Sequence, residues 1–491
     1  MNRDNHGRSK DICSPGISSC THVSYTSLSG IILLPILTKN LSIGDYGLWL
    51  LIMAIVGLAP QILGLGLPFT MLRFLPSVDL VSEKRQIFYS SLSITILVSG
   101  LVSLISSIIL ITLGRIFFDL DSAIVVLVAL TIVVQTAYTT GVAYFQANQY
   151  VKKYSICTVS IPILQIIFYS VVVLNGLGLQ ELLVANVGVY FLVLVFILTS
   201  ILNEIGFETP QFKNLRDHLS FGIPTVPGNL SSWVTDSSDR YLISLFLGSE
   251  WVGYYGPGYS LGSMVKNFTS PIMFLLTTSL SKDYDAGNKK EVTNILTYVL
   301  KYFLALGVPA VFGLSILSKP ILTVLTTPEL AANGFLVTPI AALSFLLFGI
   351  YAILMRIFVF EKKTGFLAKV WIYAAVINFV LNIIFIPFFG IIGAALTTLC
   401  AFAFAVFMGE YYSSGLLKSR QIQLFTVKSL IASLLMSLFI YMIEPSGIIQ
   451  IGVTVLISVA VYFLVLVFMK AFSKREMQFF KSLILRNEST S

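Results

Sequence analysis

Charge is scarce in this chain: of its 491 residues only 11% are Asp, Glu, Lys or Arg, where a soluble domain carries about a quarter. So few charges cannot keep in water a chain that is 56% hydrophobic, and lipid must be the solvent for most of it. Histidine and cysteine are nearly absent, at 3 and 4 residues. Cys13, Cys20, Cys157 and Cys400 stand without metal-ligand spacing, and a Cys/His catalytic pair lacks the histidines it would need. No metal and no cofactor is expected. No G-x-x-x-x-G-K-[ST] loop occurs, which removes the usual cradle for ATP phosphates. No stretch is left over for a soluble domain.

What is present is a succession of apolar runs, each of about twenty residues and so long enough to cross a hydrocarbon core as a helix. The spans are Pro15 to Leu37, Tyr46 to Leu75, Gln86 to Leu113, Ala123 to Phe145, Tyr154 to Leu174, Leu182 to Leu202 and Leu219 to Leu247. Then follow Val252 to Leu280, Val292 to Leu317, Ala332 to Arg356, Gly365 to Phe388, Ile391 to Tyr412, Leu424 to Ile443 and Ile448 to Val467. The first lacks a convincing small-residue cleavage site and is expected to stay on the protein. The expected fold is an all-α membrane protein of about fourteen transmembrane helices.

The net charge of +8 is absorbed by topology. With the N-terminus inside, the inner segments collect Arg3, Arg8, Lys10, Arg73, Lys84, Arg85, Lys152, Lys153, Lys213, Arg216, Lys282, Lys289, Lys290, Lys362, Lys363, Lys418, Arg420 and the tail residues Lys470, Lys474, Arg475, Lys481 and Arg486. The outer segments collect only Lys39, Arg115, Arg240 and Lys319. This asymmetry predicts both termini in the cytoplasm and leaves no basic patch for nucleic acid.

Two landmarks recur. Ile43-Gly44-Asp45-Tyr46-Gly47 enters the second span and Val252-Gly253-Tyr254-Tyr255-Gly256 the eighth; Lys152-Lys153 precedes the fifth and Lys362-Lys363 the eleventh. Six spans separate the copies, so both halves share one orientation, the parallel-repeat arrangement of several secondary transporters. The expected organisation is an N-terminal lobe over 1–202 (helices 1–6), a C-terminal lobe over 203–413 (helices 7–12) and an appended helix pair with a basic cytoplasmic tail over 414–491.

The same landmarks carry a resemblance. Leu33-Leu34-Pro35-Ile36-Leu37-Thr38, Tyr46-Gly47-Leu48 and Arg73-Phe74 are followed by Phe221-Gly222-Ile223-Pro224, Asp239-Arg240-Tyr241 and Gly253-Tyr254-Tyr255. Asn382-Ile383-Ile384-Phe385-Ile386-Pro387 and Gly390-Ile391-Ile392-Gly393-Ala394-Ala395-Leu396 complete the series. In these the chain resembles the polysaccharide flippases, of O-antigen and teichoic-acid type, of the multidrug/oligosaccharidyl-lipid/polysaccharide exporter superfamily. The resemblance implies two lobes that flip a polyisoprenyl-diphosphate-linked oligosaccharide outward across the cell membrane by alternating access, with glycosyltransferases or a polymerase of the same pathway as partners. It also implies that the last helix pair extends a lipid-facing groove.

Charges inside the membrane cost about 2.5 to 3.5 kcal/mol each and are candidates for function. Asp236, Asp239, Arg240, Lys266 and Lys301 stand at such depths. Lys266 and Lys301 are expected as contacts to a diphosphate headgroup, which cations hold well, or else as lobe-stabilising pairs. Arg240 is expected as a headgroup contact or as the partner of Asp236 one turn away, with Asp236 and Asp239 as ion-coupling carboxylates or charge pairs. Arg73 reads as an interfacial anchor and, by its place in the family pattern, as a headgroup contact. Pro60, Gly64, Pro224 and Pro227 are candidate hinges, since broken spans tend to line cavities. Gln61 and Asn229, beside them, are candidate sugar contacts.

Without an ATP site, transport must draw on gradients or on consumption of the product. An inside-negative potential favours outward movement of about two negative charges by roughly 4.6 kcal/mol per 100 mV. The competing readings are an ion-coupled multidrug or organic-cation antiporter of the same superfamily, which should bury carboxylates rather than lysines, and a membrane glycan polymerase or ligase, which should carry a long outer loop. Every outer loop here is short, and the chain reads as a transporter rather than an enzyme.

Overall fold

A computed structural model of the chain describes residues 29–117, 121–212, 215–269, 272–273, 288–356, 358, 364–412, 419–473 and 476. Among them the regular elements are all helical, because a chain in lipid must satisfy every backbone group internally. They are α1 (Ser29–Thr38), α2 (Ile43–Leu63), α3 (Leu67–Phe74), α4 (Val81–Phe117), α5 (Ser122–Ala147), α6 (Val151–Leu174), α7 (Leu179–Ile205) and α8 (Leu215–Gly222). They continue as α9 (Val226–Leu247), α10 (Ser249–Ser263), α11 (Lys289–Leu325), α12 (Pro328–Gly334), α13 (Val337–Leu354), α14 (Thr364–Tyr412), α15 (Arg420–Ile443) and α16 (Ile448–Phe468). Ten of the described helices are long and apolar enough to cross a membrane. The protein is an all-α, multi-pass membrane protein. Cys13, Cys20, the first half of the first expected span, the end of the eighth, Lys213, Lys282, the Lys362-Lys363 landmark, Lys418 and the tail residues Lys474, Arg475, Lys481 and Arg486 lie outside the described residues.

Several spans are built differently from a plain rod. The second is two helices: α2 contains Pro60 and ends at Leu63, Leu65 and Gly66 take positive φ, and α3 restarts with a proline in its first turn. The seventh passes from α8 through a 3-10 turn at Ile223–Thr225 into α9. The tenth divides into α12, whose first turn is capped by Thr327, and α13. The eleventh and twelfth form the single stretch α14, interrupted by Gly390 at φ 59° and ψ −141°, a conformation that needs glycine. Among the helices that overrun their expected ends, α4 starts at Val81, and α11 runs to Leu325 through Pro309 and Pro320.

Polarity is inverted relative to a soluble bundle. On α4 the hydroxyls of Thr95, Ser99, Ser103 and Ser107 are buried, whereas Leu97, Leu101, Leu104, Ile105 and Ile108 are exposed to what would be lipid. Small hydroxyl residues let helices approach closely where lipid gives no hydrophobic drive.

Packing divides the chain into two compact units. The first comprises residues 1–256 with 371–397; in it α5 packs on α4, α7, α2 and α3, while α9 lies on α2 and α8 on α3. Its core holds Phe88, Tyr144, Phe145 and Ile197, with a second cluster around Trp49, Tyr169 and Leu182. The second comprises residues 257–370 with 398–491 and is centred on α11, which packs on α12, α13, α15 and α16. There the Phe303 ring fills the place a side chain at Gly349 would need, 2.0 Å from a Cβ built at that glycine.

Candidate functional site

In the first unit the broken second span is clasped at two levels by the segment 215–256. A Cβ on Gly47 would lie 1.9 Å from the Ser249 carbonyl oxygen, one on Gly253 would lie 2.6 Å from that of Ile43, and one on Gly256 would meet Leu50. The IGDYG and VGYYG motifs therefore pack on each other, backbone against backbone. At the other end Gly66, at φ 69°, faces Gly222 so closely that a Cβ would sit 2.2 Å from the Gly222 oxygen. The Thr70 hydroxyl donates to His218 O at 3.1 Å, and Phe69 stacks on Phe221 at 5.7 Å. Between these levels the Trp233 indole donates to Ala54 O at 3.0 Å and the Tyr241 hydroxyl to Leu51 O at 2.6 Å.

The charged residues of α9 sit beside this clasp. Asp239 is fully buried; Tyr255 donates its hydroxyl to one carboxylate oxygen, and the Arg240 N–H donates to the other at 2.8 Å. Asp236 and Arg240 are half-buried one turn apart. Pro224 lies in the 3-10 turn and Pro227 in the first turn of α9, and Asn229 is exposed. On α2, Gln61 is exposed and donates to Gly57 O at 3.1 Å, while Gly64 caps the helix. Arg73 is exposed in the last turn of α3.

The second unit places the two lysines in different settings. Lys266 lies in the 3-10 turn Met264–Phe268 that follows α10, with its ammonium 5.0 Å from the Phe348 ring centre and 5.6 Å from that of Phe345, a cation–π arrangement. Lys301 is paired with an acid. It is only 3% exposed and donates to both oxygens of Glu476, at 2.8 and 2.9 Å. The Phe425 and Phe472 rings stand 5.2 and 5.3 Å from its ammonium. Tyr302 adds a hydrogen bond to Glu476 at 2.9 Å, as does the Ser473 N–H at 2.6 Å. Burial pushes the Glu476 carboxyl up, but the Lys301 ammonium and the Ser473 and Tyr302 donors outweigh it and hold the group below its ordinary value. Glu476 was not among the expected residues; the available signal was an acid directly after Lys474-Arg475 in a basic tail.

The connection between α7 and α8 is strapped to the start of α4. Arg85 bonds Glu208 at 3.2 Å; the Gln86 amide donates to Glu208 and to Thr209 O and accepts from the Gln211 N–H, and Tyr89 donates to Gly206 O. In the second unit α11, α15 and α16 wall an apolar cavity of about 420 Å³, bordered by Ala305, Pro309, Met436, Ile440, Val459 and Tyr462.

With this arrangement in hand, comparison with known proteins is decisive for the family: the model of the polysaccharide biosynthesis proteins matches residues 36–331, more than half of the chain. The chain belongs to that family. A second model, that of the lipid II flippase MurJ, matches residues 265–459, which takes in α15 and about half of α16. Among polysaccharide biosynthesis relatives, the probable low-salt glycan biosynthesis flippase Agl15 of Haloferax volcanii is 22% identical over 292 residues. The match covers 59% of this chain and 61% of that protein. Among solved structures, lipid II flippase MurJ in an inward closed conformation superposes with a TM-score of 0.75 at 19% identity, covering 95% of this chain and 99% of the other. An inward-facing multidrug resistance MATE transporter of the MOP superfamily superposes with a TM-score of 0.63 at 14% identity, over 81% of this chain. These likenesses show that this polysaccharide biosynthesis protein shares its fold with those two transporters.

Proposed function

We propose that this protein is a transporter that moves a polyisoprenyl-diphosphate-linked oligosaccharide from the cytoplasmic to the outer face of the cell membrane, for assembly of a surface polysaccharide or glycan. The observation that carries this reading is the apolar cavity walled by α11, α15 and α16. An aliphatic chain of a lipid carrier fits such a wall; a small organic cation has no use for it. Family membership supports the reading, as does the similarity to a lipid flippase over nearly the whole chain, where the multidrug transporter covers less.

On this reading the repeat lobes 1–202 and 203–413 alternate access, both termini are cytoplasmic, and the pair 414–491 serves the lipid tail. Lys266, Arg240 and Arg73 hold the diphosphate, since ammonium and guanidinium groups are the strongest partners for its oxygens. Gln61 and Asn229 reach sugar hydroxyls, Asp236 and Asp239 carry charge coupling, and Pro60, Gly64, Pro224 and Pro227 let the broken helices flex. Lys301 anchors the tail through Glu476. The pathway's glycosyltransferases or polymerase are the natural partners.

The test is reconstitution in liposomes carrying a polyisoprenyl-diphosphate oligosaccharide, with outer-face accessibility read by a membrane-impermeant oxidant. Wild type should expose the lipid, and Lys266→Ala at equal insertion should slow exposure at least tenfold. A wild type that exposes no sugar lipid from a panel of donors but expels organic cations would establish the antiporter reading instead.

A further inference from the structure

A second cavity lies in the first unit, where the Phe74–Val78 turn and the start of α4 face the strapped connection 206–212 and the first turn of α8. Its volume is about 540 Å³, within the range of roughly 300 to 1,000 Å³ that small-molecule sites occupy. Its chemistry differs from that of the apolar cavity in the other unit. Glu83, Glu208 and Gln211 line it together with the rings of Phe74 and Phe212, and among the described lining residues there is no Lys or Arg.

His218 is the informative member. It is 8% exposed and lines the cavity, and its ring packs on Phe74 at 5.5 Å. Its ring nitrogens have no hydrogen-bond partner among the described residues, although its carbonyl accepts from Thr70. The ring lines the cavity, so its nitrogens are open to whatever occupies it. Burial also holds the imidazole below its ordinary value, against the opposing pull of Asp217. Near neutral pH the ring then offers one donor and one acceptor.

Arg85 pairs with Glu208, but no Lys or Arg lines the cavity among the described residues, and the Glu83 carboxylate there disfavours a phosphate. A metal ion is no better match, since among the described residues no three carboxylate, His or Cys groups come together to hold one. The carboxylates accept, Gln211 and His218 can both donate and accept, and Phe74 and Phe212 add aromatic lining; together they suit a ligand with many hydroxyls and an apolar ring face.

We infer that this cavity binds one or two sugar residues of the transported headgroup, contacted by His218, Glu83, Glu208 and Gln211 and flanked by Phe74 and Phe212. The inference rests on the flippase reading for the identity of the glycan, and on the charge asymmetry for its cytoplasmic side. It assigns sugar selection to a place separate from the cations proposed to hold the diphosphate. Glu208 is fixed by Arg85 and Gln86, so one wall of the cavity is preorganised.

The experiment uses the full chain in lipid nanodiscs and saturation-transfer NMR with methyl glycosides of glucose, galactose, mannose, N-acetylglucosamine and glucosamine. At least one glycoside should receive saturation, inorganic pyrophosphate should not displace it, and both His218→Leu and the rim variant Ser82→Trp should weaken binding at least tenfold. Ser82 is exposed, so the tryptophan obstructs the mouth without entering the core, and an unchanged melting temperature certifies its fold. The proposal is overturned if no glycoside binds, if pyrophosphate competes, or if Ser82→Trp binds as wild type does. Liposome transport by wild type separates the two readings: translocation without glycoside binding overturns the cavity alone, and glycoside binding without translocation overturns the flippase reading alone.

Discussion

Lys301→Met isolates what the buried ion pair contributes. In the protein the ammonium gives two hydrogen bonds to Glu476, at 2.8 and 2.9 Å, with 3% of Lys301 and 8% of Glu476 exposed. Removing the cation leaves a buried carboxylate held, among the described residues, by Tyr302 and Ser473, which should cost about 3 to 5 kcal/mol. Replacing both partners, as Lys301→Met with Glu476→Leu, removes the stranded charge and should recover most of that, giving a coupling of about 2 to 3 kcal/mol in a double-mutant cycle. Melting of the four proteins in detergent, followed by size-exclusion fluorescence, reads the order. The pH dependence has a definite sign. Because the folded Glu476 carboxyl lies below its ordinary value, its contribution is complete above about pH 4.3 and is lost as pH falls through the folded value. Glu476→Gln should remove that acid-dependent part. If Lys301→Met melts like wild type yet fails to translocate sugar lipid, the lysine serves the substrate and the anchoring argument is wrong.

Two further outcomes follow from the clasp around the second span. Gly66→Ala must adopt φ near 69° and push its Cβ against Gly222, so it should lose more than about 2 kcal/mol, while Gly57→Ala, which meets nothing within 4 Å, should melt as wild type; equal melting of both would refute the close approach. A cysteine pair at Gly44 and Ser249, where a Gly44 Cβ lies 4.0 Å from the serine oxygen, should cross-link on oxidation in a background without Cys13, Cys20, Cys157 and Cys400 and halt transport until reduced. Transport that continues through the cross-link would show that this end of the clasp need not part.

The fold was legible because its signal is long and redundant. Each span repeats its apolar character over some twenty positions, and the basic residues between spans confirm nothing locally yet add up along the chain. Breaks were legible where a backbone constraint marks them: Pro60 and Gly64 stand where α2 gives way to α3, and Gly390 where α14 is interrupted. Partners were not. Lys301 and Glu476 are 175 residues apart, and nothing in the local pattern tells a lysine that faces a ligand from one that closes a tail. His218 and the strap from Glu208 to Arg85 were hidden for the same reason. Both depend on how the connection after α7 folds back on α4, and composition does not specify that.

The two copies of the glycine motif explain each other once they are seen in contact. Gly44 lies against Glu250, Gly47 against Gly253 and Leu50 against Gly256; in each pair the residue numbers differ by the same 206. A constant difference means that α2 and this part of α10 run parallel, and 206 is close to the 209-residue offset between the motifs themselves. Helices related by a two-fold axis along the membrane normal meet in this way near the axis, each position facing nearly its own equivalent. A parallel repeat, as proposed from the sequence, would place the two motifs in such a contact. It also gives a reason for the shared glycines: where a helix packs on its own copy, any side chain at the crossing appears twice, and only glycine removes the clash from both sides at once.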